Sequence, residues 1–299
     1  MQGLVTIKVD LEKYNEIREY YSPFFVPIEG EYIDFVANTN GVIITGYISA
    51  KGKKSVVFRG ALAEEEVAKW EEVEIKKPKE KEELHYVDFG EQIGSDEVGV
   101  GDFFLPIVVT ACYMNRNQYQ RLKELGVTDS KKLTDKKIKE LGPILAKEFD
   151  YSTLIVPNKK YNELIAKGEN LNSIKAKLHN RALTNLHKKY IDVIAIYVDQ
   201  FVSEEKYYEY LEDGVDEPLK GISFKTKGEQ RFPSVAAASV LARYAFLKEK
   251  EKLDLTFGED FPFGAGKKVD EFKKAFIERH GEDSYKLLVK QNFKNYSSK

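Results

Sequence analysis

The chain has 299 residues, enough for two domains, and its 42% hydrophobic and 32% charged residues are typical of a globular protein and exclude a disordered one. Its formal net charge of −2 excludes a global basic field, so any site for a polyanion must be a local patch. A single cysteine excludes an internal disulfide, and the sequence shows neither a signal peptide nor an apolar run of membrane-spanning length. We therefore expect a cytoplasmic protein without a membrane segment.

Residues 1–75 predict a small α+β domain. A strand is expected in LVTIKV and a helix in LEKYNEIREYY, whose apolar stripe comprises Leu11, Tyr14, Ile17 and Tyr21. Three more strands are predicted in EYIDFVANT, GVIITGYIS and KSVVFRG, separated by short turns that contain Gly41 and Gly52. A helix in LAEEEVAKWEEVEI ends the unit. The predicted order is β-α-β-β-β-α, a sheet with helices on one face.

One face of this predicted sheet is polar. Alternation along GVIITGYIS places Thr45 and Tyr47 on the face opposite Val42 and Ile44. Polar positions of the neighbouring strands can share that face, namely Lys8, Asn38 and Arg59. A ring that stacks on bases and cations that bind phosphates are what a nucleic-acid-binding surface needs. The same pattern also suits an ordinary solvated sheet face.

Residues 76–88 predict a linker, because KKPKEKEEL is charged, contains Pro78 and lacks an apolar period. Residues 89–299 then alternate between strand and helix patterns. Strands are expected in VDFGEQIGSDE, LPIVVTACYM, DYSTLIVP and DVIAIYVDQF, and helices in DKKIKELGPILAKEF, SIKAKLHNRALTNLHKKY, SVAAASVLARYAFLKEKEKL, VDEFKKAFIERH and SYKLLVKQNF. This alternation predicts an α/β fold with a mixed sheet flanked by helices.

Carboxylates end two of the predicted strands. Asp96 and Glu97 stand side by side in GSDEVG, Asp199 ends VIAIYVD, and Glu229 precedes the small-residue helix SVAAAS. Acids at strand ends and at a helix start can converge on one point of an open α/β sheet. Converging carboxylates shift each other's pKa or bind cations, and oxygen ligands without His or Cys favour Mg²⁺ or Mn²⁺. Taken one at a time, Asp199 and Glu229 are better explained as an N-cap and a surface acid.

Other polar features have ordinary explanations beside functional ones. Gly99 and Gly101 free the backbone after Glu97 to bend and to approach a ribose or phosphate closely. Ser130 and Lys131, in TDSKKL, are placed to grip a phosphate, but the segment also suits a solvated helix cap. NLNSIKAKLHNRAL offers polar side chains at a helix beginning that are equally compatible with packing, namely Asn172, Lys175 and His179.

Together these pieces resemble the type 2 ribonucleases H. The segments GSDEVGVGDFFLPIVVTA, TDSKKL, NLNSIKAKLHNRAL, YVDQF and KGEQRFPSVAAASVLARYAFL occur in the order of that family. The whole chain most closely resembles its bacterial ribonuclease HIII group, in which a domain shaped like half of a TATA-box-binding protein precedes a ribonuclease H-like domain. The resemblance implies a substrate-binding domain at 1–75, a linker at 76–88 and a catalytic domain at 89–299.

The resemblance also implies an activity, the endonucleolytic hydrolysis of the RNA strand of RNA/DNA hybrids to 5′-phosphate and 3′-hydroxyl ends with two Mg²⁺ or Mn²⁺ ions. Its catalytic and metal-binding carboxylates would be Asp96, Glu97, Asp199 and Glu229. Asp96 would lie between the two ions, Glu229 would serve the nucleophile side, and a glutamate at 229 favours the HIII branch. Its substrate contacts would come from Gly99, Val100, Gly101, Ser130, Lys131 and Asn172, and from Lys8, Tyr47 and Arg59 on the first domain.

Alternatives remain open at this point. A ribonuclease HII-like enzyme would also incise at single ribonucleotides in duplex DNA, and a non-catalytic nucleic-acid-binding protein would use its acids structurally. Another nuclease of the same fold, such as a resolvase, would not account for the first domain. Leu105 departs from the family, where glycine is more usual. No protein partner is implied, and we expect a monomer.

Overall fold

The computed structural model describes residues 3–28, 30, 32–49, 52–70, 86, 90–127 and 133–297. The chain divides into two compact units, Met1–Glu82 and Glu83–Lys299, which are described separately. No helix in the described part of the chain is both long and apolar enough to cross a membrane.

The N-terminal unit is an antiparallel sheet with helices on one face. Its elements are β1 (Gly3–Val9), α1 (Leu11–Tyr21), β2 (Ile33–Thr39), β3 (Val42–Ile48), β4 (Lys54–Gly60) and α2 (Ala63–Val67), and its strand order is β1-β4-β3-β2. The predicted β-α-β-β-β-α order is confirmed. The last predicted helix is described only in its first half, since residues 71–75 lie outside the described residues.

Alternation along the strands separates a buried face from an exposed one. The buried face packs against α1 through Ile44, Phe58, Tyr14, Ile17, Tyr21 and other residues of one apolar cluster. Leu11, which the helical stripe included, is instead 58% exposed. It begins α1 directly after the N-cap Asp10, whose carboxylate accepts the N–H of Lys13, and so it lies at the edge of the packed face.

The C-terminal unit is built on a five-stranded mixed sheet. Its strands are β5 (Gln92–Val98), β6 (Ile107–Met114), β7 (Tyr151–Val156), β8 (Ala195–Asp199) and β9 (Ile222–Lys225), in the order β7-β6-β5-β8-β9. Neighbours β5, β6 and β7 pair antiparallel, whereas β5, β8 and β9 pair parallel. The predicted mixed sheet is therefore confirmed, with β5 at its centre.

Eight helices of the described chain belong to this unit. They are α3 (Arg116–Glu124), α4 (Asp135–Glu148), α5 (Asn158–Ala166), α6 (Leu171–His187), α7 (Glu204–Glu212), α8 (Pro233–Phe257), α9 (Lys267–Leu288) and α10 (Lys294–Ser297). The two helices predicted near the C-terminus are confirmed as the two halves of α9, which are separated at Gly281, where φ of 80° and ψ of 161° are not helical and favour glycine. Sequence patterns missed α3, α5, α7 and β9, because these helices are short and largely polar and β9 has four residues.

Helices cover both faces of this sheet. On one face α6 and α7 share a large apolar cluster with β5, β6 and β8, and on the other α4 and α8 share a second cluster with β6. Close contact between α8 and β5 depends on Gly94, because a Cβ there would lie 2.4 Å from Ser234 Oγ and 2.5 Å from the Val235 nitrogen. The small residues of SVAAAS thus bring α8 against the strand that carries the adjacent acids.

Candidate active site

Strand register brings Asp96 and Asp199 together. In the parallel pair of β5 and β8, Ser95 lies opposite Val198, so the next residue of each strand is the acid. Both acids therefore lie at the same end of the sheet, where the carboxyl ends of the parallel strands form sites. The Gly228 N–H donates to Asp199 Oδ1 at 2.9 Å and orients that carboxylate.

These acids open into one cavity of about 380 Å³, which we call the acid cleft. It is lined by Asp96, Glu97, Val98, Leu133, Asp135, Ile138, Asp199, Ser239 and Arg243. Three of the four acids singled out in the sequence thus share one cleft, and β5, β8, α4 and α8 supply the lining between them.

The pKa of Asp96 is strongly raised. The residue is buried, and burial together with the charges of Glu97 and Asp199 raises its pKa to about 8. Hydrogen bonds from Ser239 and from the Glu97 N–H, the latter at 2.8 Å, act in the opposite direction. Without a cation, this carboxyl therefore keeps its proton at neutral pH.

Glu97 is held on both oxygens. Lys175 Nζ lies 2.5 Å from Oε1, and His179 Nε2 lies 2.9 Å from Oε2. Because a carboxylate only accepts, Nε2 carries the proton, and in neutral His179 the Nδ1 atom accepts from Ser95 Oγ at 2.8 Å. Burial raises the pKa of Glu97, but His179 and Lys175 outweigh burial and lower it, so that Glu97 stays ionised beside a protonated Asp96.

Lys175 and His179 are themselves fixed by their surroundings. His179 is fully buried and stacks on Phe201 with ring centroids 5.3 Å apart, and Lys175 Nζ lies 3.9 Å from the centre of the same ring. Their i, i+4 spacing on α6 places both on one helix face. That spacing is visible in the sequence, but the sequence alone leaves both residues equally compatible with packing.

Glu229 occupies a different position from the other three acids. It lies in a 3-10 turn, Gly228–Gln230, next to the residue whose N–H binds Asp199. Its side chain is fully buried, and it is not among the described residues that line the acid cleft. The structure therefore brings Glu229 beside the cluster without opening it into the cavity.

The donor set of the cleft fits a hard divalent cation. Its candidate ligands are carboxylate oxygens, and the charges of Glu97 and Asp199, which add to burial in raising the pKa of Asp96, are ones that a cation would offset. Within the described residues, no three His, Cys, Asp or Glu side chains are close enough to form a ready ion site.

The predicted glycine loop follows the acids directly. Gly99 is buried with a φ of 86°, and a Cβ there would lie 1.9 Å from the Pro106 carbonyl oxygen, so only glycine fits. Val100 is half-buried, and Gly101 is exposed with open space around its Cα. Asn172 lies half-buried in the first turn of α6, outside the set that lines the acid cleft. Ser130 and Lys131 lie outside the described residues.

The predicted face of the N-terminal sheet is exposed, as the alternation indicated. Lys8 and Tyr47 both pair with Ser55 across β4, and they line a cavity of about 860 Å³ with Tyr32, Lys53 and other residues. Arg59 is exposed on the same face, four residues along β4 from Ser55, and is not among the described residues that line this cavity. The face therefore carries two separate cationic regions.

Sequence reasoning missed three polar residues of the acid cleft, Asp135, Ser239 and Arg243. Arg243 Nε and Nη2 each lie 2.9 Å from an oxygen of Asp135, and the guanidinium carbon lies 4.7 Å from the centre of the Phe263 ring. Ser239 and Arg243 are four residues apart on α8, so they lie on one face of that helix. Their spacing in the helix that follows Glu229 is the signal in the sequence that could have found them. Arg243 thus adds a cation to the otherwise acidic cleft.

Comparison with known proteins finds related sequences and structures over nearly the full length of the chain. The family model Ribonuclease HII matches residues 93–296, and a model described as a domain of unknown function (DUF3378) matches residues 5–83. The chain is 36% identical to ribonuclease HIII of Bacillus cereus (strain 03BB102) and 37% identical to that of Bacillus anthracis (strain A0248), each over 99% of this chain and 97% of the relative. The crystal structure of Bst-RNase HIII in complex with Mn²⁺ aligns with a TM-score of 0.67 and 32% identity, over 98% of this chain and 97% of that one.

Proposed function

The chain belongs to the ribonuclease HIII family and is a metal-dependent nuclease with a ribonuclease H-like fold, and from this premise we propose that it hydrolyses the RNA strand of RNA/DNA hybrids to 5′-phosphate and 3′-hydroxyl ends. The observation that carries the proposal is the acid cleft, in which Asp96, Glu97 and Asp199 meet at the carboxyl edge of the sheet. Hydrolysis of a phosphodiester needs concentrated positive charge around the reacting oxygens, and a carboxylate cluster is the means of collecting it.

Asp96, Glu97, Asp199 and Glu229 are the proposed ligands of two divalent ions, Mg²⁺ or Mn²⁺. When bound, such ions supply the positive charge that stabilises the attacking and leaving oxygens of the displacement. To act as a ligand, Asp96 would have to lose to solvent the proton that burial and its acidic neighbours keep on it. Lys175 and His179 keep Glu97 ionised and oriented. Gly228 orients Asp199 through its N–H.

The substrate is proposed to contact the exposed backbone at Gly101, and the polar face of the N-terminal sheet is proposed to contribute to its binding. A protein distinguishes RNA from DNA at the 2′-hydroxyl, and the loop of Gly99, Val100 and Gly101 begins two residues after Glu97. Asn172, Ser130 and Lys131 are proposed to assist at the sugar-phosphate backbone. On the N-terminal unit, Tyr47 offers a ring, and Lys8 and Arg59 offer cations.

One assay tests this substrate class against its nearest alternative. An end-labelled uniform RNA/DNA hybrid and a DNA duplex with one ribonucleotide are incubated with the chain in Mg²⁺ or Mn²⁺. We expect cleavage of the RNA strand of the hybrid and little incision at the single ribonucleotide. Efficient incision there would assign a ribonuclease HII-like specificity, and binding of the hybrid without any cleavage would mean a non-catalytic nucleic-acid-binding protein. A cytoplasmic monomer remains our expectation, and light scattering on the purified chain tests whether it is a monomer.

Loss of Lys175 is expected to weaken the binding of the metal ion and to slow the reaction. In Lys175→Met, Oε1 of Glu97 loses its cation and only the His179 bond to Oε2 still orients the carboxylate, and loss of such supporting contacts typically costs about 10–100-fold. We expect kcat/KM to fall by that factor and the Mn²⁺ concentration for half-maximal rate to rise. Lys177→Met is the matched control, because Lys177 lies on the same helix and pairs with Glu169 instead. An unchanged Mn²⁺ titration in Lys175→Met would remove Lys175 from the proposed site.

The raised pKa of Asp96 predicts how stability depends on pH in EDTA. Between the ordinary aspartate pKa of 3.8 and about 8, the native state holds a proton that the unfolded chain has lost, so stability falls as pH rises through this window. Asp96→Asn removes the effect, and its Tm should exceed that of the wild type by several degrees at pH 9 and by less at pH 5. Calorimetry at both pH values measures this difference, and Mn²⁺ should raise the wild-type Tm more than that of the variant. A Tm difference that does not vary with pH would contradict the prediction.

A further inference from the structure

The loop that leaves β5 after the acids is tied to the far C-terminal end of the chain. Lys290 lies just beyond α9, and its backbone N–H donates to the Phe103 carbonyl oxygen at 3.0 Å. Its ammonium group donates to the carbonyl oxygens of Gly99 at 2.9 Å, of Leu105 at 2.5 Å and of Asp102. The three N–H groups of the ammonium thus bind three carbonyl oxygens that are distributed over the whole loop, residues 99–105.

Lys290 occupies a position that is unfavourable for a cation. Its side chain is fully buried, with its ammonium 5.9 Å from the centre of the Tyr161 ring and 5.7 Å from that of Phe293. Burial lowers its pKa to about 7, although the charge of Asp102 acts in the opposite direction. An apolar residue would fill this space without the cost of desolvating a charge. The distinct property of the lysine is its ability to bind three carbonyl oxygens at once.

The same loop is held by other contacts on its C-terminal side. The Phe103 N–H donates to the Gly264 carbonyl at 2.9 Å, and the Gly264 N–H donates to Asp102 Oδ1 at 2.6 Å. Asn158 Nδ2 donates to the Phe103 carbonyl at 3.3 Å. The opposite side of the loop is open, since Gly101 is exposed and a Cβ on it would meet nothing within 4 Å. The loop therefore has one anchored side and one accessible side.

We propose that Lys290 is a positioning residue for the substrate, which fixes the backbone of loop 99–105 so that its accessible side holds the ribose-bearing strand in line with Asp96 and Glu97. This inference rests on the proposed function, since it concerns how that substrate is held. The loop begins two residues after Glu97, so a shift of its backbone moves the strand relative to the acids. A displacement of about 1 Å at such a point costs up to about a hundredfold in rate.

The test measures binding, in a chain that carries Asp199→Asn so that substrate is not consumed. Dissociation constants are determined with Mg²⁺ for an RNA/DNA hybrid and for a DNA duplex of the same sequence, with and without Lys290→Met. We expect the preference for the hybrid, the ratio of the two constants, to fall about tenfold in Lys290→Met. Lys273→Met is the matched control, because Lys273 is also buried in this region and donates to the Asn295 carbonyl at 2.8 Å. It should leave the ratio unchanged.

The outcomes separate this inference from the function on which it rests. If Lys290→Met is folded and keeps the full preference for the hybrid, Lys290 is a structural tie and the inference is overturned. An equal loss of preference in Lys273→Met would overturn it as well, because general loosening would then explain the effect. If Lys290→Met does not fold, Asn158→Ala, which removes a bond to the same loop, is judged by the same ratio. A wild-type chain that does not cleave the RNA strand of the hybrid would refute the proposed function itself, whatever the binding ratio of the variants.

Discussion

Asp199→Asn is expected to reduce cleavage of an RNA/DNA hybrid by at least about a thousandfold, as is usual when one member of a catalytic unit is removed. Asp199 Oδ1 accepts the Gly228 N–H, and the asparagine Oδ1 can accept the same bond, so the fold should persist. What the amide loses is the negative charge that the proposed ions require. The measurement is single-turnover cleavage of the labelled hybrid in Mg²⁺ and in Mn²⁺, with the Tm of both proteins recorded.

A matched control separates this loss of charge from a general effect of the substitution. Asp254 also accepts a backbone N–H through Oδ1, from Phe261 at 2.9 Å, and it is not among the described residues that line the acid cleft. Asp254→Asn should therefore cleave the hybrid at nearly the wild-type rate. If Asp199→Asn stayed folded and retained more than a tenth of the wild-type rate, Asp199 would not be a ligand of the catalytic metal ions. The proposed set of four acids would then have to be revised.

Removal of residues 1–82 is expected to weaken hybrid binding at least about tenfold and to reduce the dependence of binding on salt. This unit has its own apolar core, so its removal leaves the core of unit 83–299 complete. Each lost contact between a cation and a phosphate lowers the slope of log K against log salt by roughly one. Cleavage at saturating hybrid should persist, because the acid cleft lies entirely in the second unit. Binding is measured across a salt series in the Asp199→Asn background.

Point variants in the full-length chain test whether the polar sheet face is responsible. Lys8→Ala combined with Arg59→Ala should reproduce part of the loss in affinity and in salt slope. Lys13→Ala is the control, since Lys13 lies on α1, on the other side of the sheet, and pairs with Glu16. An affinity that is the same in the truncated and full-length chains across the salt series would mean that the N-terminal unit does not contact the hybrid.

Much of the architecture follows from local patterns. Alternating strands, the turn at Gly41 and the apolar stripe of α1 predict the elements of the N-terminal unit, and β2, β3 and β4 are neighbours both in sequence and in space. The pairing of β1 with β4 joins strands that are distant in sequence. The mixed sheet of the second unit follows from its alternation of strands and helices. The short polar helices α3, α5 and α7 escaped prediction, since few apolar residues mark their buried faces. Leu11 is the opposite case: it is apolar and fits the helical period of α1, but it lies exposed at the end of that helix.

The sequence by itself determined which chemistry this chain carries: acids at strand ends without His or Cys ligands, a glycine loop after two of them, and an ordered set of family motifs. Only the tertiary structure decided which groups meet. Asp96 reaches Asp199 through the register of β5 with β8, and Glu97 is held by side chains 78 and 82 positions away, on α6. Lys290 reaches the glycine loop across 191 positions. Such contacts depend on strand order and helix packing, which join distant segments and leave no trace in the local pattern of either one.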